Sequence, residues 1–455
     1  MKKLQIVILI LLAGPAGCAT YQAKPLSPRP DLPRQVPHLS INPAQMPLPE
    51  LARHKFDPGD GLDMTEVAML AVANNPALKV ARDEAGIARA QAFAAGLLPD
   101  PQIGLTADSP TNGGPGNTSA FNLGLSYDVS ALLTRSAAKG AAEAARRQTD
   151  LTLLWQEWQV VSRARLLFVR NLEQQRLMDL LGDERAMFAR RYNSVAQALE
   201  AGNATLEAST AELSAMQDVD RRINDTERRM SANRHELNAI LGLAPDAKPR
   251  LVGDADLPPL DGAKVRAALA DLARRRPDLL ALQAGYESQE LRFRQAVLAQ
   301  FPAINIGLTR ARDTSGLYTR GFGITLSLPI FNRNRGNIAI EKATRRRLYD
   351  EFQMRLNGAA GEIDRILSDQ ALLEKQLHGV KDAAGRMARV LSASAAAYRA
   401  GDLDELSYTK LRGAWLAKRM EAVALEQSLL EQRVALQTLM GGELPTTNHR
   451  SGSEP

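Results

Sequence analysis

Cysteine is almost missing from this chain. Cys18 is the single one in 455 residues, so no intrachain disulfide can form. Aromatic residues make up 5%, too few for the core of an ordinary all-β sandwich. The five histidines (His38, His54, His235, His378, His449) are scattered without ligand spacing, which argues against a dedicated metal site. No Gly-rich phosphate loop, zinc spacing or supported Ser/His/Asp arrangement occurs, so neither an enzyme nor a cofactor is indicated. The formal net charge is +6, but Arg, Glu and Asp are mixed along the chain rather than blocked, which disfavours nucleic acid as a partner. No apolar run approaches the ~20 residues of a spanning helix, so any membrane crossing has to be a barrel.

What is abundant is alanine, leucine, arginine, glutamate and glutamine, the composition of long, closely packed helices. Ahead of them, Lys2-Lys3, the apolar run Leu4–Leu12 and the small pair Ala16-Gly17 lay out a secretory signal over residues 1–17. Cys18 directly after small residues resembles a lipoprotein signal, in which the thiol receives a diacylglycerol; Pro15 departs from the aliphatic residue usual there. Ala19, rather than Asp, points to the outer membrane. Residues 18–60 are rich in proline, which disfavours helix and sheet and predicts an extended arm from the lipid to the folded body.

The remainder contains one unit twice. Pro76 pairs with Pro277 (201 positions on), Pro99 with Pro302 and Gly104 with Gly307 (203), Phe121 with Phe322 (201), and Ala201-Gly202-Asn203 with Ala400-Gly401-Asp402 (199). Such steady offsets indicate an internal duplication. The units are 61–244 and 261–442, with a linker at 245–260 and a disordered tail at 443–455. Each reads as a helix (63–98, 263–300), two short alternating stretches, a very long helix (130–200, 333–400) and a final helix (204–242, 403–441). In the second long helix Phe352, Leu356, Ala359, Ile363, Ile366, Gln370, Leu373, Leu377, Val380, Ala384, Met387 and Leu391 keep 4,3,4,3 spacing, a coiled-coil seam broken only by Gln370. Some 70 residues at ~1.5 Å each make a rod of about 100 Å.

The alternating stretches carry Ile103, Leu105, Phe121, Leu123, Leu125, Tyr127, Ile304, Ile306, Leu308, Phe322, Ile324, Leu326 and Leu328 on one face, with mostly Gly, Asn, Ser and Thr on the other. A barrel strand with lipid outside and water inside has this period of two; a hairpin on a soluble core has it too. Asn112-Gly113-Gly114 and Ser315-Gly316 supply the tip loops. Membrane barrels need at least ~8 strands, and open edges are not tolerated in lipid. Four strands per chain therefore demand oligomerisation: two copies would give a filled barrel, three a twelve-stranded one with an open lumen.

These features resemble the outer-membrane factors, the TolC family of tripartite efflux and type I secretion ducts. Asn74-Asn75-Pro76-Ala77-Leu78, Gly96-Leu97-Leu98-Pro99-Asp100-Pro101 and the stretch from Leu326 to Gly336 (LSLPIFNRNRG) resemble the branch serving heavy-metal cation pumps. In that last stretch Pro329 ends a strand and Asn332 is positioned to cap the incoming helix. The resemblance implies a mainly α fold with a small transmembrane β part. It implies a homotrimer with a twelve-stranded barrel in outer-membrane lipid and a long periplasmic α-barrel. Its partners would be a periplasmic adaptor (membrane fusion) protein and an inner-membrane RND-type pump. The Ala-Gly-Asn and Ala-Gly-Asp breaks resemble the family's tip turns, so Gly202, Asn203, Tyr398, Arg399, Gly401, Asp402, Asp404 and Glu405 are the gate candidates. Carboxylates there can form a cation-attracting ring, or Asn203 and Asp402 can cap the returning helices. Drug efflux, type I secretion and a periplasmic coiled-coil scaffold lipoprotein are the competing readings.

Overall fold

The computed structural model describes residues 20–34, 46, 48–111, 114, 116–255, 257 and 260–441. The leader, Cys18 and the tail lie outside the described residues. A short helix α1 (Pro49–Arg53) precedes α2 (Met64–Asn74) and α3 (Pro76–Ala95). Strands β1 (Gln102–Asp108) and β2 (Ala120–Asp128) follow, then the long α4 (Ser130–Glu200) and α5 (Leu206–Ile240). The second half begins with α6 (Gly262–Ala268), a 3-10 turn (Leu269–Asp271) and α7 (Leu272–Arg275). It continues with α8 (Pro277–Leu298), β3 (Ala303–Arg312), β4 (Tyr318–Ser327), α9 (Arg335–Ala400) and α10 (Glu405–Met440).

Local chemistry explains the boundaries. Asp63 starts α2 through a capping box: its carboxylate accepts from the Thr65 and Glu66 amides, and Glu66 accepts from the Asp63 amide. The single helix expected over 63–98 is broken, because Pro76 cannot donate and forces Asn75 out of helical geometry (φ −53°, ψ 122°). The Asn75 side chain accepts from Ala77 and Leu78 and begins α3. The helix expected over 263–300 breaks likewise at Arg276-Pro277. The Asn332 cap is also corrected. The Arg335 amide bonds to the Asn332 carbonyl, and α9 starts only after Arg333 and Asn334, both left-handed at φ 47° and 54°. Asn334 tolerates that conformation, and its side chain donates to the Ala296 carbonyl at 2.8 Å, tying α9 to the end of α8.

The 71-residue α4 runs for about 105 Å and the 66-residue α9 for about 100 Å. α4 packs against α2, α3, α5, α8 and α10, and α9 against α8 and α10. One core joins Val67 and Leu70 to Leu167, Phe168, Leu237 and Val434; another joins Val265, Leu272 and Leu279 to Ile363, Ile366, Leu436 and Met440. All twelve seam positions of α9 are buried or half-buried. Gln370 is buried with its amide nitrogen unpartnered.

The same lock closes each half. Asn75 Nδ2 donates to the Ile240 carbonyl (3.3 Å), and Arg276 Nη1 to the Leu439 carbonyl (3.4 Å). Arg276 also pairs with Asp278 through two bonds (3.0 and 2.8 Å) and stacks 4.9 Å from the Trp155 ring. Gly242 (φ 66°) and Gly441 (φ 71°) end the last helices there. A Cβ on Gly242 would come within 2.8 Å of the Asn74 carbonyl oxygen, and one on Gly441 within 2.9 Å of that of Arg275.

The proline-rich arm is only partly as expected. Residues 20–34 hold no helix or strand, yet the Pro33 carbonyl accepts from the Ala244 amide (2.8 Å). Residues 49–53 form α1, a correction to the extended reading. Proline at the first helical position gives up no hydrogen bond. Leu51 is fully buried, and Glu50 pairs with the buried Arg165 at 2.7 Å. The linker at 245–260 is not loose either: Leu251 bridges to Leu62, and Ala247 and Leu257 join the core.

Alanine at Gly242 or Gly441 should therefore destabilise the chain by more than the ~1–2 kcal/mol of a left-handed Ala alone. Gly202 and Gly401 share the positive φ but face open space, so Gly202→Ala and Gly401→Ala should cost only the backbone term. Thermal melts of the four variants compare them, and equal losses would show that the close approach is unimportant.

Candidate functional site: a two-faced sheet and two helix-tip turns

The four strands form one antiparallel sheet in the order β1-β2-β3-β4. They run longer than their apolar alternation, because backbone pairing continues past the last apolar residue. Register decides the faces. Ile103 faces Leu125 and Leu105 faces Leu123; Leu125 faces Leu308 and Tyr127 faces Ile306. Ile304 faces Leu326, Ile306 faces Ile324 and Leu308 faces Phe322. Directly paired residues share a face, so the strand residues expected on one apolar face, Phe121 among them, do lie together there. Leu328 falls just past the end of β4. Gly104, Asn122, Gly124, Ser126, Asn305, Gly307, Thr309, Gly323 and Thr325 line the other face.

Among the described residues nothing covers this apolar face: Ile103, Leu105, Leu308, Phe322 and Ile324 are each more than half exposed. β1 and β4 are the free edges. The β3–β4 turn is closed by Asp313, which accepts from the amides of Ser315 and Leu317 (2.9 Å each). Gly114 in the other loop is described, whereas Asn112 and Gly113 lie outside the described residues.

At the far ends of the long helices the two turns close identically. The Gly202 amide donates to the Leu199 carbonyl and that of Asn203 to Ala198; Gly401 donates to Tyr398 and Asp402 to Ala397. Glycine in the left-handed conformation (φ 75° and 84°) permits this helix stop. The expected caps are corrected: Asn203 and Asp402 belong to the stop, and the residues that cap the next helices, Thr205 and Asp404, come two positions later. Thr205 accepts from Ala208 (3.2 Å). Asp404 accepts from the Ser407 amide (2.8 Å) and hydroxyl (2.7 Å), and these bonds hold its carboxyl below the usual 3.8.

The turn also brings together residues the sequence reading missed. Tyr398 stacks on Tyr408 with centroids 5.0 Å apart and planes within 4°. Ser194 on α4 donates to Glu405 at 3.0 Å, joining the first half of the chain to the second. Arg399 turns back onto the Ala395 carbonyl of its own helix (3.1 Å). A tyrosine on each side of a Gly turn was the available signal for Tyr408; nothing local marks Ser194.

Among the described residues one grouping could approach a cation: His54, Asp63 and Glu66. His54 lies 3.2 Å from Asp63. Both Glu66 oxygens and one of Asp63 already accept backbone amides, so the cluster serves the start of α2. Among the described residues no helix is long and apolar enough to cross a membrane.

Residues 268–442 match the family described as outer membrane efflux protein. That match lies wholly in the second half of the chain. A curated relative, the putative multidrug resistance outer membrane protein MdtQ of Escherichia coli (strain K12), is 24% identical over 83% of this chain and 85% of its own length. The fold is that of solved outer-membrane channels. The chain resembles CusC with a TM-score of 0.68 at 17% identity, covering 88% of this chain and 98% of that one. It resembles the Campylobacter jejuni CmeC outer membrane channel with a TM-score of 0.70 at 14% identity, covering 94% and 95%.

Proposed function

We propose that three copies of this chain form the outer-membrane exit duct of a tripartite efflux system. The observation that carries the reading is the sheet: one face is apolar and bare, and both edges are unpaired. Lipid suits such a face, and in lipid the edges must be paired. β4 of one copy pairing with β1 of the next closes twelve strands. The two halves, 61–244 and 261–442, act as repeats that each supply two strands and one long rod. Cysteine pairs introduced between residues 103–107 and 322–326 should yield a covalently linked trimer. Exclusively intrachain products would defeat the closure.

The rods then extend into the periplasm towards an adaptor and an inner-membrane pump. Lipid anchoring at Cys18 would hold the arm to the same membrane; Cys18→Ser should abolish acyl-chain labelling, and unchanged labelling would refute the anchor.

Heavy-metal cations are the substrate class suggested by the stretch from Leu326 to Gly336 and by the exposed carboxylates at the tip. Drug efflux is the second reading, favoured by the name of the E. coli relative. A deletion strain sensitised to metal salts but not to drugs supports the first, and the reverse pattern the second.

The gate is the turn around Gly401, with Tyr398, Arg399, Asp402, Asp404 and Glu405, together with Gly202 and Asn203. Tyr398→Ala combined with Glu405→Ala removes the ring stack and the link to Ser194, and should raise single-channel conductance in planar bilayers. Because the Asp404 carboxyl titrates below 3.8, its hold on the turn is intact above that pH and is lost as pH falls through its folded value. Acid should therefore open the wild type further than it opens Asp404→Ala. Wild-type conductance in the double variant, with the trimer intact, would move the gate elsewhere.

A further inference from the structure

The apolar face of the sheet ends in arginine. At the hairpin end, away from the helices, Arg310 faces Arg320 and Arg312 faces Tyr318. By register all three share the face of Leu308 and Phe322. Like charges directly opposite one another on a sheet repel, with Cβ atoms roughly 5 Å apart. Among the described residues neither Arg310 nor Arg320 has an ion pair. Asp108 projects from the opposite face, and Asp313 is held within its own turn. Arg312 is fixed: its Nε and Nη2 donate to the Ser119 carbonyl, and it lies 5.8 Å and 6.0 Å from the rings of Phe121 and Tyr318. Phe121 and Tyr318 meet edge to face at 6.3 Å. The result is a band of aromatic rings and guanidinium groups that caps the apolar surface.

On the trimeric-barrel reading, on which this inference rests, that band lies at the exterior rim and faces lipid. Closing the barrel does not relieve the charge. The strand that would join β4 presents Ile103, Leu105 and Ala107 on the lipid side, so Arg320 gains no acidic neighbour there. We propose that Arg310, Arg312 and Arg320 bind the phosphate of an outer-leaflet lipid that bears a phosphomonoester. Such a group carries about −1.5 to −2 charge. It answers two facing guanidiniums better than a singly charged phosphodiester does, and guanidinium pairs with phosphate through two parallel bonds. Aromatic residues beside the site suit the boundary between acyl chains and headgroups.

The test uses the full-length protein in nonionic detergent, with bound lipid counted by native mass spectrometry. Diphosphoryl lipid A should be retained by the wild-type trimer, and Arg310→Gln with Arg320→Gln should weaken retention at least tenfold. Arg310→Lys with Arg320→Lys should recover part of it. Arg312 is left in place because it packs on the rings that hold the hairpin, and SDS-resistant trimer in each variant verifies assembly. Equal retention by the Gln variant and the wild type would overturn the site. Equal wild-type retention of phosphatidylglycerol would overturn the phosphomonoester assignment, and displacement of lipid A by an equal concentration of inorganic phosphate would overturn the lipid assignment. A chain that forms no trimer would overturn the barrel reading itself, whereas an intact trimer with unaltered lipid binding removes only the lipid site.

Discussion

Backbone amides and carbonyls at a sheet edge must find partners, and in lipid no water can supply them. That constraint governs the reading of this chain. The sheet has four strands, and its edge strands β1 and β4 come from opposite halves of the sequence. Its apolar residues are in register across all three ladders. A one-residue slip in any ladder would turn the apolar residues of the displaced strand to the opposite face. The polar face is built largely from Gly, Asn, Ser and Thr, small side chains suited to a wet interior. Placed in lipid, as proposed, such a sheet would be incomplete as a monomer.

The helices meet the sheet through fixed joints. Asn334, left-handed, ties α9 to α8 just below β3 and β4. Asp128 accepts from the Ser130 amide at 2.9 Å as β2 passes into α4. At the other end of the short helices, the Gly242 and Gly441 locks press the last helix of each half against the break before Pro76 or Pro277. Three residues recur in each half at those locks: a left-handed glycine, a proline, and a side chain that donates to a helix-end carbonyl. The donor differs, Asn75 in one half and Arg276 in the other. Arg276 needs Asp278 beside it, because a buried guanidinium without a partner carries a large desolvation penalty.

Much of this was legible in the sequence, and the misses have physical causes. The heptad from Phe352 to Leu391 and the period-two stretches are long signals, and every seam position is at least half-buried. Each half holds the order helix, two strands, long helix, final helix. The helix breaks at Pro76 and Pro277 were marked by the prolines themselves, but hydrophobic periodicity continues across them. The strands extend to Arg312 and Tyr318 because pairing does not require apolar side chains, and alternation alone stopped short. Thr205 and Asp404 were passed over as caps in favour of the residues beside the glycines. A left-handed glycine stop occupies those positions and shifts the next helix start onward. Leu51 and Ser194 act through contacts distant in sequence, for which no local pattern exists.

The distribution of contact strength along the rod bears on how a duct could open. At the locks, Arg276 and Asp278 are both nearly buried, and the glycine contacts are backbone against backbone. Breaking such a pair by removing one partner is strongly destabilising, so that region moves as a block or not at all. At the tip the contacts are of another kind. The Ser194–Glu405 bond is exposed, Tyr398 is 39% exposed, and Asp404 bonds only within its own helix start. Exposed polar pairs contribute about 0.2–1 kcal/mol each, and a ring stack adds roughly 0.5–1.5 kcal/mol. In the proposed trimer, three copies of these contacts would hold a closed arrangement and leave it within reach of the free energy of docking a partner. A turn built on an open, left-handed glycine can change its angle without disturbing a neighbour, which Gly242 and Gly441 cannot. In the proposed duct, motion is therefore cheapest at Gly202 and Gly401, while the locks at Gly242 and Gly441 stay fixed.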